Sequence, residues 1–353
     1  MSDTVDVAER VEEAPPPGRP SRSIPRRIGE ELLRRREASV LIVAIGLGVY
    51  FASAHEAFLT RPNLVNIAQA TAPVAIVAAG MVLVLVSGEI DLSVAAVAAL
   101  APFNMHYLAD YYLPAGLADE VKILLAIGLA LAISAAIGFV NGAITVYLKV
   151  PSFVTTLGTA YVIIGTVLVT SHAFPAPIPD SATDAIRSWF GHSDWAHITW
   201  CVLIVVFFHL LLTRTRWGLH TIAVGGNLLG ATEAGIRAGR IKIGNFMMVS
   251  TLGGFVGILE AFRINTIDPN IGGGFGLMFL AVSAAVIGGT ALAGGSGTVL
   301  GAALGALVLA ELQNGMNLIG ISANPYFVIL GVAILVSMIA NVYLSRLRRA
   351  GRT

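Results

Sequence analysis

Long apolar stretches without any charge constrain the fold of this chain more than any other feature. The segment "PVAIVAAGMVLVLV", residues 73–86, is one of them. A membrane-spanning helix needs about 20 mostly apolar residues. Ten segments approach that description: residues 39–58, 71–88, 92–109, 121–147, 153–171, 197–213, 241–262, 276–293, 297–313 and 326–344. Charged residues make up only 12% of the chain, well below their share in soluble proteins. The sequence therefore predicts an all-α polytopic membrane protein with about ten transmembrane helices.

The positions of Lys and Arg indicate how these helices are oriented. If the N-terminus lies in the cytoplasm and the segments alternate, all but four of the 22 basic residues fall on the cytoplasmic side, where such residues accumulate. The four exceptions are Arg61, Lys122, Arg187 and Arg263. We therefore expect both termini in the cytoplasm. The expected parts are a disordered tail at residues 1–37, a transmembrane domain at 38–345 and a basic tail at 346–353.

The stretch "SGEIDLS", residues 87–93, interrupts the apolar sequence with two carboxylates. A charge at the bilayer centre costs about 3 kcal/mol by insertion scales, so such a group faces the bundle interior, water or a helix end. Gly88 breaks the preceding helix. The sequence from Asp91 to Ser93 is typical of a helix N-terminus, where a carboxylate accepts from free N–H groups. Asp91 is therefore either a cap in a tight turn or a pathway residue, whereas Glu89 has no such local role and is the stronger functional candidate.

A second break lies in "VIGGTALAGGSGTVLGAALGAL", residues 286–307. Gly294, Gly295 and Gly297 interrupt the helix there. The four-residue spacing of Gly297, Gly301 and Gly305 predicts close packing on one helix face. Two glycine-interrupted apolar segments in separate halves of a chain indicate a transport path.

The predicted cytoplasmic loop at residues 214–240 is not apolar enough to span a membrane, and its composition is not that of a simple polar linker. Asn227 suits a helix N-cap, and "LLGATEAGI", residues 228–236, predicts a short helix that Gly235 ends. Its small residues would let another protein approach the backbone closely. This helix either lies on the membrane surface or docks a cytoplasmic partner. The docking candidates are Gly225, Gly226, Asn227, Ala231, Ala234, Gly235 and Ile236.

The sequence carries no motif of a catalytic or nucleotide-binding site. It has no Gly-rich phosphate loop ending in Lys-Ser/Thr and no HExxH sequence. With one cysteine, Cys201, and scattered histidines, it suggests no metal site. The net charge of +1 gives no reason to expect nucleic-acid binding. We expect that the chain is not an enzyme, has no cofactor and takes its energy from an ion gradient or a partner ATPase.

Four motifs in order resemble the ribose-type ABC importer permeases, the membrane components of binding-protein-dependent monosaccharide transport systems. They are "GEIDLSV", "NGAITVYLKVPSFVTTLGT", "RTRWGLHTIAVGGNLLGATEAGI" and "VIGGTALAGGSGTVLGAALGAL", and the similarity covers about residues 40–342. The family pattern has Gly where this chain has Glu89. The pathway candidates are Glu89, Asp91, Ser93, Asn141 and Phe153.

The resemblance implies a type II-like importer permease that forms a homodimer in the bacterial inner membrane. A cytoplasmic ABC ATPase would bind ATP and dock on residues 227–236. A periplasmic sugar-binding protein would deliver a monosaccharide or related polyol. The alternative is an ion-coupled secondary sugar transporter, in which Glu89 or Asp91 carries protons.

Overall fold

The protein is described here from a computed structural model. The structure describes residues 36–193, 195–269 and 275–321, together with scattered positions between 328 and 339. The two predicted tails and the tenth predicted span, residues 326–344, lie wholly or largely outside the described residues. Within the described ranges the chain forms helices and no strand, with a single isolated bridge between Ala176 and Ile267.

Between residues 36 and 321, the described part of the chain forms twelve α-helices. They are α1 Arg36–Ala54, α2 Arg61–Val86, α3 Val94–Tyr107, α4 Asp119–Tyr147, α5 Ser152–Ser171, α6 Asp184–Arg187, α7 Ala196–Arg214, α8 Arg216–Gly226, α9 Leu228–Glu233, α10 Ala238–Ile264, α11 Gly276–Ile287 and α12 Val299–Leu318. A 3-10 turn at Glu56–Leu59 and π-helical turns at Leu108–Tyr112 and Ser188–His192 complete the helical structure described between residues 36 and 321. Seven of these helices, namely α1, α2, α4, α5, α7, α10 and α12, are long and apolar enough to cross a membrane. The prediction of a polytopic, all-helical membrane protein is confirmed.

Each of the first nine predicted segments coincides with a helix, but several boundaries are wrong. α2 begins at Arg61, ten residues before the predicted start, with Pro62 in its first turn, a position that suits proline. Polar residues in the first turns of α2 lower its hydropathy there, so a search for apolar runs does not detect the start of the helix. α11 ends at Ile287 instead of residue 293, because the chain turns at Gly288 and Gly289.

The helix α2 lies at the centre of the bundle. Every residue from Val74 to Val86 is buried, and α2 packs against α7, α10, α11 and α12. A helix that is apolar on all sides can be buried all round. The charge-free run at residues 73–86 therefore corresponds to the core of the protein, and the break that follows it begins inside the bundle.

Candidate translocation pathway and docking segment

The helices α2 and α11 end in the same way. At the end of α2, the N–H of Glu89 donates to the Val84 carbonyl at 3.1 Å, and the N–H of Gly88 donates to the Leu85 carbonyl at 2.9 Å. This pair of bonds requires a left-handed residue at the end of the helix, which glycine adopts without strain. Gly88 has a φ of 81°, and Gly289 occupies the equivalent position after α11 with a φ of 88°.

The two breaks lie against each other. The N–H of Gly295 donates to the carbonyl of Val86 at 2.8 Å. A Cβ atom added at Gly294 would lie 3.1 Å from the Cα of Gly88. The sequence predicted the two interruptions separately, and the structure brings them into direct backbone contact. A displacement of one break therefore acts on the other.

Gly297 does not share a helix face with Gly301 and Gly305, so this part of the sequence prediction is wrong. The helix α12 begins only at Val299, because the Thr298 side chain caps it by accepting from the Gly301 N–H at 2.9 Å. Gly297 lies in the loop before this cap. Gly301 and Gly305 do pack closely, since a Cβ at Gly305 would overlap the backbone of Ala284 in α11 and a Cβ at Gly301 would overlap the backbone of Gly288, directly after α11.

Asp91 is fully buried just before α3. One carboxylate oxygen accepts from the backbone N–H of Ser93 at 2.7 Å and from its hydroxyl at 2.6 Å. The hydroxyl of Ser250, on α10, donates to the other oxygen at 3.5 Å. Buried polar groups are tolerated when they are hydrogen-bonded in this way. The N-cap residue of α3 is Ser93 and not Asp91, so the prediction of Asp91 as the cap itself is wrong. Asp91 instead holds this N-cap residue by accepting from its N–H and hydroxyl.

Polar side chains continue from the start of α3 to α4 and α5. The amide of Asn141, which is fully buried on α4, donates to the Ser93 hydroxyl at 2.9 Å. The hydroxyl of Thr159, on α5, donates to the Asn141 side-chain oxygen at 2.7 Å. Three of the predicted pathway residues, Asp91, Ser93 and Asn141, therefore belong to one buried network.

The first turns of α5 hold the backbone of the break. The N–H of Ile90 donates to the Ser152 hydroxyl at 3.2 Å, and the N–H of Leu92 donates to the Thr156 hydroxyl at 3.0 Å. Phe153, the predicted pathway residue of α5, is 54% exposed and is not part of this network.

Glu89 has a different environment from Asp91. The ammonium of Lys242, near the start of α10, donates to the Glu89 carboxylate at 2.5 Å. The side chains of Glu89 and Lys242 are only 13% and 17% exposed. The two carboxylates of one short break are thus held by different chemistry, Asp91 by N–H and hydroxyl donors and Glu89 by a cation. Elsewhere in the described ranges, no three His, Cys, Asp or Glu side chains converge to form a metal site.

The predicted docking helix is α9, which follows α8 after a one-residue break. The side chain of Asn227 caps α9 by accepting from the Gly230 N–H at 2.9 Å. Gly235 follows α9 with a φ of 82°. Leu228 and Leu229 are 49% and 69% exposed. The helix therefore presents apolar side chains outside the bundle.

The predicted docking residues do not all face outward. Gly226, Asn227, Ala234 and Gly235 are exposed. Ala231 is buried in a small cluster that attaches α9 to α8 and α10, and Ile236 packs against this cluster. A Cβ at Gly225 would overlap the carbonyl oxygen of Val86. These inner positions fix the segment to the bundle.

A buried asparagine joins α8, α10 and α2. The indole N–H of Trp217, on α8, donates to the side-chain oxygen of Asn245 at 2.9 Å. The Asn245 amide donates to the carbonyl of Leu83 at 3.1 Å. Because Asn245 is fully buried, these bonds connect the docking segment to the last turn of α2.

Comparison with known proteins identifies the family. Residues 63–339 match the family described as branched-chain amino acid transport system / permease component. The chain belongs to this permease family.

Three curated relatives are similar over most of their length. XylH, a xylose/arabinose import permease of Sulfolobus acidocaldarius, is 36% identical over 89% of this chain and 87% of its own. RbsC, a ribose import permease of Escherichia coli, is 34% identical over 80% of this chain and 87% of its own. AraH, an L-arabinose transport system permease of E. coli, is 32% identical over 83% of this chain and 86% of its own. No solved structure matches this chain.

The relatives confirm the resemblance shown by the four motifs, and they are permeases rather than enzymes. Several residues that hold the break of this permease are absent from the sequence prediction. Lys242 entered it only as one of the cytoplasmic basic residues. Asn245 interrupts a predicted span and could have been noticed as a polar residue there. The four-residue spacing of Ser152 and Thr156 could have indicated a polar helix face.

Proposed function

We propose that this permease is the membrane subunit of an ATP-driven ABC importer that carries a monosaccharide or related polyol. The similarity to permeases named for ribose, arabinose and xylose, over at least 80% of this chain, carries the proposal. The family description names branched-chain amino acids instead, so an amino acid is the competing cargo. The individual relatives favour the sugar because xylose, arabinose or ribose stands in each of their names.

The proposed assembly has two copies of the permease in the bacterial inner membrane, with both termini in the cytoplasm. A periplasmic sugar-binding protein delivers the solute at the outer face. A cytoplasmic ATPase subunit binds ATP and docks on α9, so the permease needs no cofactor of its own. The exposed Leu228 and Leu229, on a helix anchored by the buried Ala231, support this docking site.

The network at the breaks does not favour the ion-coupled alternative. A proton carrier needs a carboxylate that exchanges protons with water along the pathway. The carboxylate of Asp91 is fully buried and accepts from Ser93 and Ser250. The carboxylate of Glu89 is paired with Lys242. Both carboxylates of this break are therefore engaged in holding helices together.

Reconstitution tests the proposed function. Proteoliposomes contain the permease, with or without a partner ABC ATPase and a periplasmic sugar-binding protein, and receive radiolabelled xylose, arabinose, ribose or leucine. We expect uptake of a sugar only when both partners and ATP are present. Gradient-driven uptake by the permease alone would support the secondary transporter, and uptake of leucine in place of the sugars would assign the cargo to amino acids.

Co-purification tests the docking site separately. Ala234→Trp places a bulky side chain at an exposed position of the docking segment, and we expect the ATPase to be lost from the purified complex. Tyr112→Trp is the control, because Tyr112 is 77% exposed and lies at the opposite end of the bundle. Retention of the ATPase by the Ala234→Trp variant would exclude this surface as the docking site.

A further inference from the structure

The docking helix α9 is connected to the end of α2 through both of its neighbours in the chain, α8 and α10. On the side of α8, Gly225 packs against the carbonyl oxygen of Val86. On the side of α10, Lys242 donates to the carboxylate of Glu89, in the break that follows α2. The helix α9 lies between these two contacts in the chain. A partner that moves α9 therefore acts on the same end of α2 through both flanks.

We propose that Glu89 and Lys242 are a positioning pair that couples movement of the docking segment to the break between α2 and α3. The inference rests on the proposed function, because the movement is attributed to an ATPase bound at α9. The pair acts through the backbone of the break, and neither residue is assigned a contact with the transported solute.

Both residues are attached firmly to their own helices. The N–H of Glu89 donates to the Val84 carbonyl, and the preceding Gly88 donates to the Leu85 carbonyl, so Glu89 moves with α2. Lys242 lies within the regular turns of α10. An ion pair between two such backbones fixes the position of α10 relative to the break.

The burial of the pair makes this connection strong. Solvent and salt screen a partly buried ion pair less than a surface pair. The two side chains are only 13% and 17% exposed, so separating them leaves charges without partners in surroundings of low dielectric constant. Movement of the first turns of α10 is therefore expected to carry the break with it.

The break in turn contacts the rest of the pathway region. Its Ile90 and Leu92 N–H groups donate to hydroxyls of α5, and its Asp91 contacts α10 through Ser250. Its neighbour Val86 accepts from Gly295 of the second break. A displacement that enters through Glu89 thus reaches both breaks and α5.

The test measures sugar transported per ATP hydrolysed in proteoliposomes with the permease, its ATPase and its binding protein, using radiolabelled xylose, arabinose and ribose. The double variant Glu89→Gln/Lys242→Gln leaves no unpaired charge, so it is expected to fold and to retain the ATPase. We expect the amount of sugar transported per ATP hydrolysed to fall about 5-fold or more while ATP hydrolysis continues. This factor corresponds to the loss of a typical coupling free energy between two sites.

Two further variants separate coupling from loss of charge. The exchanged pair Glu89→Lys/Lys242→Glu re-forms the contact, and we expect it to regain most of the transport ratio. Arg240→Gln removes one positive charge from an exposed side chain two residues before Lys242 and should leave the ratio unchanged. A double-neutral variant that transports at the wild-type ratio overturns the inference. A wild-type complex that binds no ATPase or imports none of the sugars overturns the proposed function instead.

Discussion

Gly225 packs so closely on Val86 that the carbonyl oxygen of Val86 occupies the space of a Cβ atom. The same oxygen accepts a hydrogen bond from Gly295 at 2.8 Å. One carbonyl at the end of the central helix therefore contacts both the docking segment and the second glycine break. This arrangement brings Gly225 and Gly295, which are far apart in sequence, to one place in the fold.

Replacing Gly225 by alanine should disrupt this junction. The added methyl group overlaps a backbone atom that cannot rotate away, and overpacking of this kind costs about 1–3 kcal/mol. We expect Gly225→Ala to lower the melting temperature in detergent and to reduce ATP-driven uptake. Gly226→Ala is the matched control, because its Cβ would meet the nearest atom, the Gly295 Cα, at 3.8 Å. Equal behaviour of the two variants would contradict the close contact.

Asn245 should be required for attachment of α8 to α2. Asn245→Leu removes the acceptor of the Trp217 indole N–H, whereas the Leu83 carbonyl still accepts from the Ser87 N–H. An unsatisfied buried group costs about 1–3 kcal/mol. We expect lower thermal stability and weaker uptake at an unchanged level of membrane insertion. Asn104→Leu is the comparison, since the amide nitrogen of Asn104 has no hydrogen-bond partner. The interpretation fails if both variants lose stability equally.

The local parts of this arrangement could be predicted from the sequence because their signals lie within a few residues. Asn227 and Gly235 delimit α9 through hydrogen bonds to near neighbours. Gly88 ends α2 through bonds to the last turn of the same helix. Such caps follow from residue type and spacing alone.

The contacts between distant segments could not be predicted in this way. Glu89 and Lys242 are 153 positions apart, and no local pattern indicates that an acid and a base so separated will pair. The start of α2 was missed for a related reason. Asn63 is polar, yet it is buried because it donates to the Phe58 carbonyl and accepts from Asn314. A search for apolar runs does not detect polar residues that satisfy one another across helices.

The role of Asp91 can be separated into geometry and charge. In Asp91→Asn, the side-chain oxygen can still accept from the N–H and hydroxyl of Ser93, so we expect a folded protein with substantial ATP-driven uptake. In Asp91→Leu, those donors lose their acceptor at a fully buried position, and we expect poor folding. Uptake and thermal melting are measured on both variants. A stable Asp91→Asn protein without uptake would show that the negative charge itself is needed.

The hairpin of α11 and α12 depends on a close approach of the two helices. A Cβ at Gly305 would overlap the carbonyl oxygen of Ala284 on α11, so Gly305→Ala should push α12 away from α11. We expect a loss of about 1–3 kcal/mol in stability, measured as a lower melting temperature in detergent. Gly165→Ala in α5 serves as the control, because nothing lies within 4 Å of its Cβ and alanine favours the helix by up to about 1 kcal/mol. If Gly305→Ala melts at or above the temperature of Gly165→Ala, α11 and α12 do not pack through this glycine.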